Sequence, residues 1–360
     1  MSKNHYIIPI FVPQIGCPHT CVFCNQESIT GDAGVAGSTG NVNGQYVKRT
    51  IDEYLETINS NNSIIEVSFF GGTFTGINMC IQRELLSVAQ SYKKAGKVKF
   101  IRLSTRPDYI DNKILDHLKS FDVDIIELGV QSLDEEVLHK SGRGHGEEDV
   151  EIASKLIKEY GFTLGHQIML GLPGDTREKD IETTRKSISM KPNICRIYPS
   201  LVIKDTPMEK LLIEGKYKPY TLDEAVETSK IVYGMMEGND IKVIRIGLQP
   251  TEEISSDGDV IDGPFHPAFR ELVEGSIYCD IIYDYYKDKE VDEYKICINP
   301  KEVSKLYANK KQYFNELLKR LDISKILVVQ ECGMERSSIG FYNTGKLDII
   351  NQKEYLKYKY

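Results

Sequence analysis

The sequence predicts an α/β fold: a partial, open (β/α)6 barrel over residues 1–250 and a small C-terminal α+β extension over residues 251–360. Three observations carry that expectation. Short, nearly continuous apolar runs rich in β-branched and aromatic residues alternate with longer segments of helical periodicity, as parallel strands joined by crossover helices do. Glycines and polar residues follow directly on the ends of those runs, where a (β/α) barrel carries its functional groups. From about Ser200 the alternation breaks down, and the acidic, turn-rich stretch from Glu252 to Gly263 marks a boundary.

Tyr6–Val12 opens the series. It is too short to span a bilayer and shows no signal-peptide cleavage pattern, so it reads as a buried strand. Ile64–Phe70, Lys99–Leu103, Ile125–Val130, Thr163–Leu170 and Ile194–Val202 follow as further strands. Between them, Val47–Ile58, Met79–Ala95, Lys113–Ser120, Glu147–Tyr160 and Lys179–Ser189 place apolar residues at helical spacing. Next come helices over Asp205–Glu214 and Thr221–Glu237, then Lys242–Ile246 as a strand at the barrel edge. The extension reads as a helix over His266–Tyr285, a strand at Tyr294–Ile298, one helix over Lys301–Leu321 and a strand at Ile326–Gln330. The tail from Lys353 to Tyr360 is expected to fray.

Composition narrows the function classes. At 360 residues, 41% hydrophobic and 27% charged, the chain is an ordinary globular protein large enough for a barrel and an appended unit. A formal net charge of −8 argues against an extended nucleic-acid coat but leaves room for a local basic groove. Eight cysteines without a secretion signal argue against a disulfide framework, and no stretch is apolar enough to cross a membrane. A cytoplasmic protein is expected. Cys80, Cys195, Cys279, Cys297 and Cys332 are scattered and read as core residues.

The other three cysteines cluster directly after the first strand, in Gly16-Cys17-Pro18-His19-Thr20-Cys21-Val22-Phe23-Cys24-Asn25-Gln26. Cys17, Cys21 and Cys24 can fold onto one corner of a metal site, and three thiolates would leave one iron of a four-iron cluster open for chemistry. Zinc held with His19, or plain buried cysteines, are the competing readings. The glycine-rich stretch Gly31 to Gly44 beside this loop is a candidate lid.

The Cys-x3-Cys-x-aromatic-Cys loop, with Phe23 at the aromatic position, resembles the cluster loop of radical S-adenosylmethionine (radical SAM) enzymes. Its flanks are similar to those of the Elongator catalytic subunit and its bacterial relatives, and the strand ends follow suit over residues 5–280. The second strand ends in Phe70-Gly71-Gly72-Thr73, the third in Ser104-Thr105-Arg106-Pro107 and the fourth in Gln131-Ser132, followed by Ser141-Gly142-Arg143-Gly144-His145. The fifth carries Gln167 before Gly171-Leu172-Pro173-Gly174, and the sixth carries Arg196-Ile197-Tyr198-Pro199. Oxygen-independent coproporphyrinogen oxidases share this order of strand ends. They differ in carrying a fourth cysteine where Asn25 stands and an aspartate near Gln167.

The resemblance implies a radical SAM barrel with a [4Fe-4S] cluster on Cys17, Cys21 and Cys24. It implies SAM contacts from Phe23, Gly71, Gly72, Thr73, Ser104, Gln131, Arg143 and Gln167, with Arg143 on the methionine carboxylate. It also implies an electron donor, either a reductase or a flavodoxin or ferredoxin, and one-electron cleavage of SAM to a 5′-deoxyadenosyl radical. Residues 281–360 are too few for the acetyltransferase domain of the Elongator subunit and show no glycine-rich acetyl-CoA loop, so that activity does not carry over. Two substrate classes stay open. One is tRNA or another RNA, with Lys301, Lys305, Lys310, Lys311, Lys319 and Arg320 beside Tyr307 and Tyr313 as a possible contact. The other is a tetrapyrrole or other small molecule.

Overall fold

A computed structural model describes residues 5–12, 21–25, 42–58, 63–251, 254–255, 257–343 and 346–360. Strands β1 (His5–Val12), β2 (Ile64–Gly71), β3 (Phe100–Thr105), β4 (Ile125–Gln131), β5 (Thr163–Leu170), β6 (Ile194–Pro199) and β8 (Lys242–Ile246) form one seven-stranded sheet in the order β1-β2-β3-β4-β5-β6-β8. Every pairing in it is parallel. The curled sheet is a half barrel with β1 and β8 as its free edges. The six expected strands are present, and the edge strand makes a seventh. The sixth stops at Pro199, and Val202–Ile203 becomes a separate short strand, β7, paired with β9 (Val260–Asp262).

Helices α1 (Gly44–Thr57), α2 (Met79–Lys94), α3 (Asn112–Ser120), α4 (Glu135–Lys140), α5 (Glu147–Glu159) and α6 (Arg177–Ser189) connect the strands. Side-chain caps start most of them: Asn43, Asn78, Asp111, Asp134 and Thr176 each accept from a first-turn backbone N–H. Alternate strand residues pack against these helices. Ile8, Ile10, Val67, Phe69, Ile101, Leu103, Ile126 and Leu128 are buried there with Val47, Ile51, Leu85 and Leu115. The intervening residues face the barrel lumen, because successive side chains of a strand point to opposite faces.

A second core joins β5, β6 and β8 to helices α8 (Leu222–Gly238) and α9 (Phe269–Tyr286) and to the C-terminal sheet. Helix α7 (Pro207–Ile213) precedes them. That sheet has the order β11-β10-β12-β13, from β10 (Lys295–Ile298), β11 (Leu327–Gln330), β12 (Ser338–Asn343) and β13 (Lys346–Asn351). No helix among the described residues is long and apolar enough to cross a membrane.

Two expectations fail in the extension. The tail does not fray. Residues Gln352–Lys359 form a helix, α12, which buries Leu356 and lays the Tyr360 ring over Gly234; a Cβ at Gly234 would stand 2.2 Å from that ring. The single helix over 301–321 is instead two, α10 (Val303–Leu306) and α11 (Gln312–Arg320). Asn309, Lys310 and Lys311 between them take left-handed φ values of 50°, 53° and 68°.

The basic segment is largely consumed by the fold. Lys305 pairs with Glu274 and Glu302 at 2.8 and 2.7 Å, and Arg320 lies 3.8 Å from the Tyr283 ring centre. Lys311 covers one side of Tyr307, and Tyr313 is buried. Those tyrosines therefore leave little ring surface for stacking bases, and among the segment's cations only Lys301, Lys310 and Lys319 stay exposed outside any ion pair or ring contact.

Candidate active site

The aligned registers place the C-terminal ends of the strands on one rim: Val12 faces Gly71, Thr105 faces Leu128, and Leu170 faces Pro199. Cys17, Pro18, His19, Thr20 and most of the Gly31 to Gly44 stretch lie outside the described residues. Cys21, Val22, Phe23 and Cys24 lie within them. Cys21 is buried, Cys24 half-buried, and the Cys24 N–H donates to the Cys21 carbonyl at 3.1 Å. Val22 donates to the Ser141 carbonyl and accepts from the Met208 N–H, at 3.1 and 2.9 Å, which ties the cysteine segment to the turn after α4 and to the start of α7. Phe23 packs with Val202, Met208 and Tyr217.

Arg143 meets this segment directly. Its Nη1 donates to the Cys21 Sγ at 3.3 Å and its Nη2 to the Gly129 carbonyl at 2.6 Å. Gly129 makes that reach possible, since a Cβ there would stand 3.3 Å from Nη2 and 3.1 Å from the Gln131 Nε2. Gln131 ends β4 at a register shift with φ of 66°, a left-handed conformation that costs a non-glycine residue about 1 kcal/mol.

Four buried polar atoms around this point have no hydrogen-bond partner among the described residues: Gln131 Oε1, Ser141 Oγ, Arg143 Nε and His145 Nδ1. Leaving a buried polar group unsatisfied costs about 1–3 kcal/mol, so such a concentration points to a missing polar ligand. Burial, followed by the charges of Arg143 and Arg106, pushes His145 down to about 3, so it is neutral.

On the opposite side of the rim, Gly71 has φ of 103°, and a Cβ there would fall 2.4 Å from the Val12 carbonyl oxygen. Only glycine fits. The Gly72 N–H donates to that same oxygen at 3.0 Å, and Thr73 behind it is buried. The backbone of β2 thus passes close to the end of β1. Arg106 is neither solvated nor an open anion clamp, because its Nε and Nη2 both donate to Asp108 at 2.9 Å.

Below the rim, the lumen holds a buried ion network that the sequence reading did not single out as a unit. Arg102 on β3 bridges Glu66 on β2 and Glu127 on β4. Arg196 on β6 donates from Nε and Nη2 to Glu127 at 2.6 and 3.1 Å. Gln167 on β5 donates from Nε2 to Glu127 at 2.9 Å and to Ser104 Oγ at 3.2 Å. Gly165 makes room, since a Cβ there would stand 2.8 Å from the Glu127 Cγ. Burial alone would raise the Glu127 carboxyl, but Arg196 and Arg102 outweigh it and hold it below its ordinary value. The available signal was one charged residue inside each of four otherwise largely apolar strands: Glu66, Arg102, Glu127 and Arg196.

The residues present fit a cluster and SAM. Two neighbouring cysteines, one of them under the Arg143 guanidinium, suit a sulfur-ligated cluster. The unpartnered Arg143 Nε and Gln131 Oε1 suit a carboxylate and an ammonium group.

Comparisons with known proteins agree with this geometry. A radical SAM superfamily model matches residues 11–187, and a radical SAM C-terminal domain model matches residues 192–278. The chain is 28% identical over 337 residues to a protein named tRNA uridine(34) acetyltransferase from Methanocaldococcus infernus, covering 84% of this chain and 60% of that one. It is 32% identical over 144 residues to human Elongator complex protein 3, covering 39% of this chain and 26% of that one. The chain thus spans only part of these relatives. The solved structure of archaeal M. infernus Elp3 with an N-terminal deletion superimposes with a TM-score of 0.61 at 23% identity, covering 80% of this chain and 63% of that one, which establishes the fold. Both domain models fall on the half barrel and its flanking helices, and the chain belongs to the radical SAM superfamily.

Proposed function

We propose that this radical SAM enzyme holds a [4Fe-4S] cluster on Cys17, Cys21 and Cys24 and modifies a nucleotide of tRNA or another RNA. The observation that carries the cofactor assignment is the group of unpartnered buried polar atoms at the end of β4, one residue of which, Arg143, also touches Cys21. When bound, the cluster and SAM supply one-electron cleavage of SAM and hydrogen-atom abstraction from the substrate.

This chain's residues then have defined tasks. Arg143 and Gln131 hold the amino-acid end of SAM, and Gly71, Gly72 and Thr73 present backbone to it without a Cβ in the way. Ser104 and Gln167, already hydrogen-bonded to each other, sit one layer deeper, where ribose hydroxyls would replace or extend that bond. Phe23 offers an aromatic edge for the adenine. Helix α9 and the C-terminal sheet buttress the β5–β8 side. The electron comes from a reductase, flavodoxin or ferredoxin. The RNA assignment rests on the similarity to proteins named for tRNA uridine modification.

Anaerobic reconstitution tests the core of this reading. A brown protein with about four irons per chain is expected, and Cys21→Ala or Cys24→Ala should abolish the colour while Cys80→Ala does not. A colourless protein holding stoichiometric zinc would refute it.

A further inference from the structure

The lumen network leaves one cation over. On β8, Arg245 stands directly across from Arg196 of β6. Like charges in facing positions on neighbouring strands repel. Arg196 is neutralised by Glu127, and Arg270 of α9, also close to Arg245, is neutralised by Glu274 at 2.7 Å. Arg245 has only an amide: its Nη2 donates to the Gln249 Oε1 at 2.6 Å. Among the described residues no carboxylate stands within ion-pair distance of it. Burial, followed by the charges of Arg196 and Arg270, lowers its pKa from the ordinary arginine value, yet an arginine stays charged. An unneutralised, half-buried guanidinium facing a second one is costly unless an anion joins them.

The surroundings indicate what carries that anion. Tyr198 Oη lies 3.4 Å from Arg196 Nη1, and the Arg196 guanidinium lies 5.4 Å from the Phe70 ring centre. Phe70 and Phe11 face each other across β2 and β1, with ring centres 6.4 Å apart. Phe11, Phe70 and Tyr198 are all half-buried, so an aromatic wall leads from the free edge of β1 to the arginine pair. Aromatic faces stack nucleobases, and an arginine fork matches a phosphate.

We propose that Arg245, beside Arg196 and Tyr198, anchors a phosphate of a nucleotide substrate whose base enters the barrel lumen against Phe70 and Phe11. This rests on the reading of the chain as a nucleotide-modifying radical enzyme. The phosphate can belong to an RNA backbone or to a free nucleotide.

Binding of a short RNA stem–loop with an unpaired uridine, of uridine 5′-monophosphate and of uridine tests the proposal, in the reconstituted protein and in three variants. Arg245→Gln should weaken the phosphate-bearing probe at least about tenfold and abolish any preference for the monophosphate over uridine. Arg245→Lys should retain binding within about threefold. Gln249→Glu, at an exposed position, puts a carboxylate where the phosphate would bind and should weaken it comparably with Arg245 intact. Loss confined to the stem–loop assigns the phosphate to the RNA backbone; loss with the monophosphate assigns it to a free nucleotide.

Unchanged affinities in Arg245→Gln and Gln249→Glu, or a parent protein that binds neither phosphate probe, overturn the proposal. So does a loss of SAM affinity in Arg245→Gln, which would move Arg245 to the cofactor site. Iron content of the same samples reports separately on the cluster. A parent without iron that still shows the Arg245 effect would sink the radical reading and leave the phosphate anchor standing.

Discussion

Two layers of the half barrel, one above the other, treat polar groups in opposite ways. In the lumen layer, Glu66, Arg102, Glu127 and Arg196 pair with one another and with Gln167. At the rim, Gln131, Ser141, Arg143 and His145 each keep a buried polar atom without a partner among the described residues. Both layers are screened from water, so the same low dielectric acts on each. The lower layer satisfies its charges internally and is built to stay put. The rim leaves part of its hydrogen-bonding capacity for something else. A polar group's completeness thus separates scaffold from site more clearly than its burial does.

The largest expected effect breaks the lower layer. Glu127→Gln keeps the shape but leaves Arg196 without its carboxylate, and removing one partner of a buried ion pair costs about 3–5 kcal/mol. Denaturant unfolding should show a loss of that order. A change below about 1 kcal/mol would mean that water already reaches the network.

Rim substitutions should behave the other way, costing affinity more than stability. Arg143→Ala should weaken SAM binding by about 1.5–3 kcal/mol, the range for a charge-assisted hydrogen bond. Gln131→Ala removes an oxygen that no group among the described residues uses, so unfolding free energy should fall by less than about 1 kcal/mol while SAM affinity drops measurably. Equal SAM affinity in both variants and the parent would erase the distinction between the layers.

A smaller effect comes from His166, on the helix side of β5. Its ring nitrogens lie 2.9 and 2.8 Å from Ser154 Oγ and Ser187 Oγ, and burial, then Lys158, pushes it down to about 3. The unfolded chain takes up a proton near pH 6.5, and the native ring does so only near the lower value. Its contribution is therefore present above about pH 6.5 and is lost as pH falls toward about 3, at about 1.4 kcal/mol per unit. His166→Gln should flatten that part of a stability-versus-pH curve, and an unchanged slope would show the ring protonating in the fold.

The smallest effect is expected at the exposed basic segment. Lys310→Glu should shift RNA affinity by less than about threefold at moderate salt, because it is solvated and its aromatic neighbours are occupied. A larger loss would restore that segment as the RNA surface.

The sequence by itself determined the strand and helix order of the half barrel and named the rim residues. Strand runs such as Ile125–Val130 are short and mostly apolar, helices open on Asn, Asp or Thr caps, and glycines such as Gly71 mark places where no side chain fits. All of these are local signals. The break at 309–311 carried none, since Asn309-Lys310-Lys311 has neither glycine nor proline and reads as helix; its left-handed turn exists because flanking Leu306 and Phe314 must both reach the core. The C-terminal helix was equally hidden, because its stability comes from Leu356 and Tyr360 packing on α8 rather than from its own residues.

Only the tertiary structure decided which charges are spent. Glu66, Arg102, Glu127 and Arg196 are 36, 25 and 69 residues apart along their pairs and meet solely because parallel strands bring the same layer into register. Among the described residues, Arg245 is left without a carboxylate by that same geometry. A charge's partner is a property of distance in space, and separation along the chain says nothing about it.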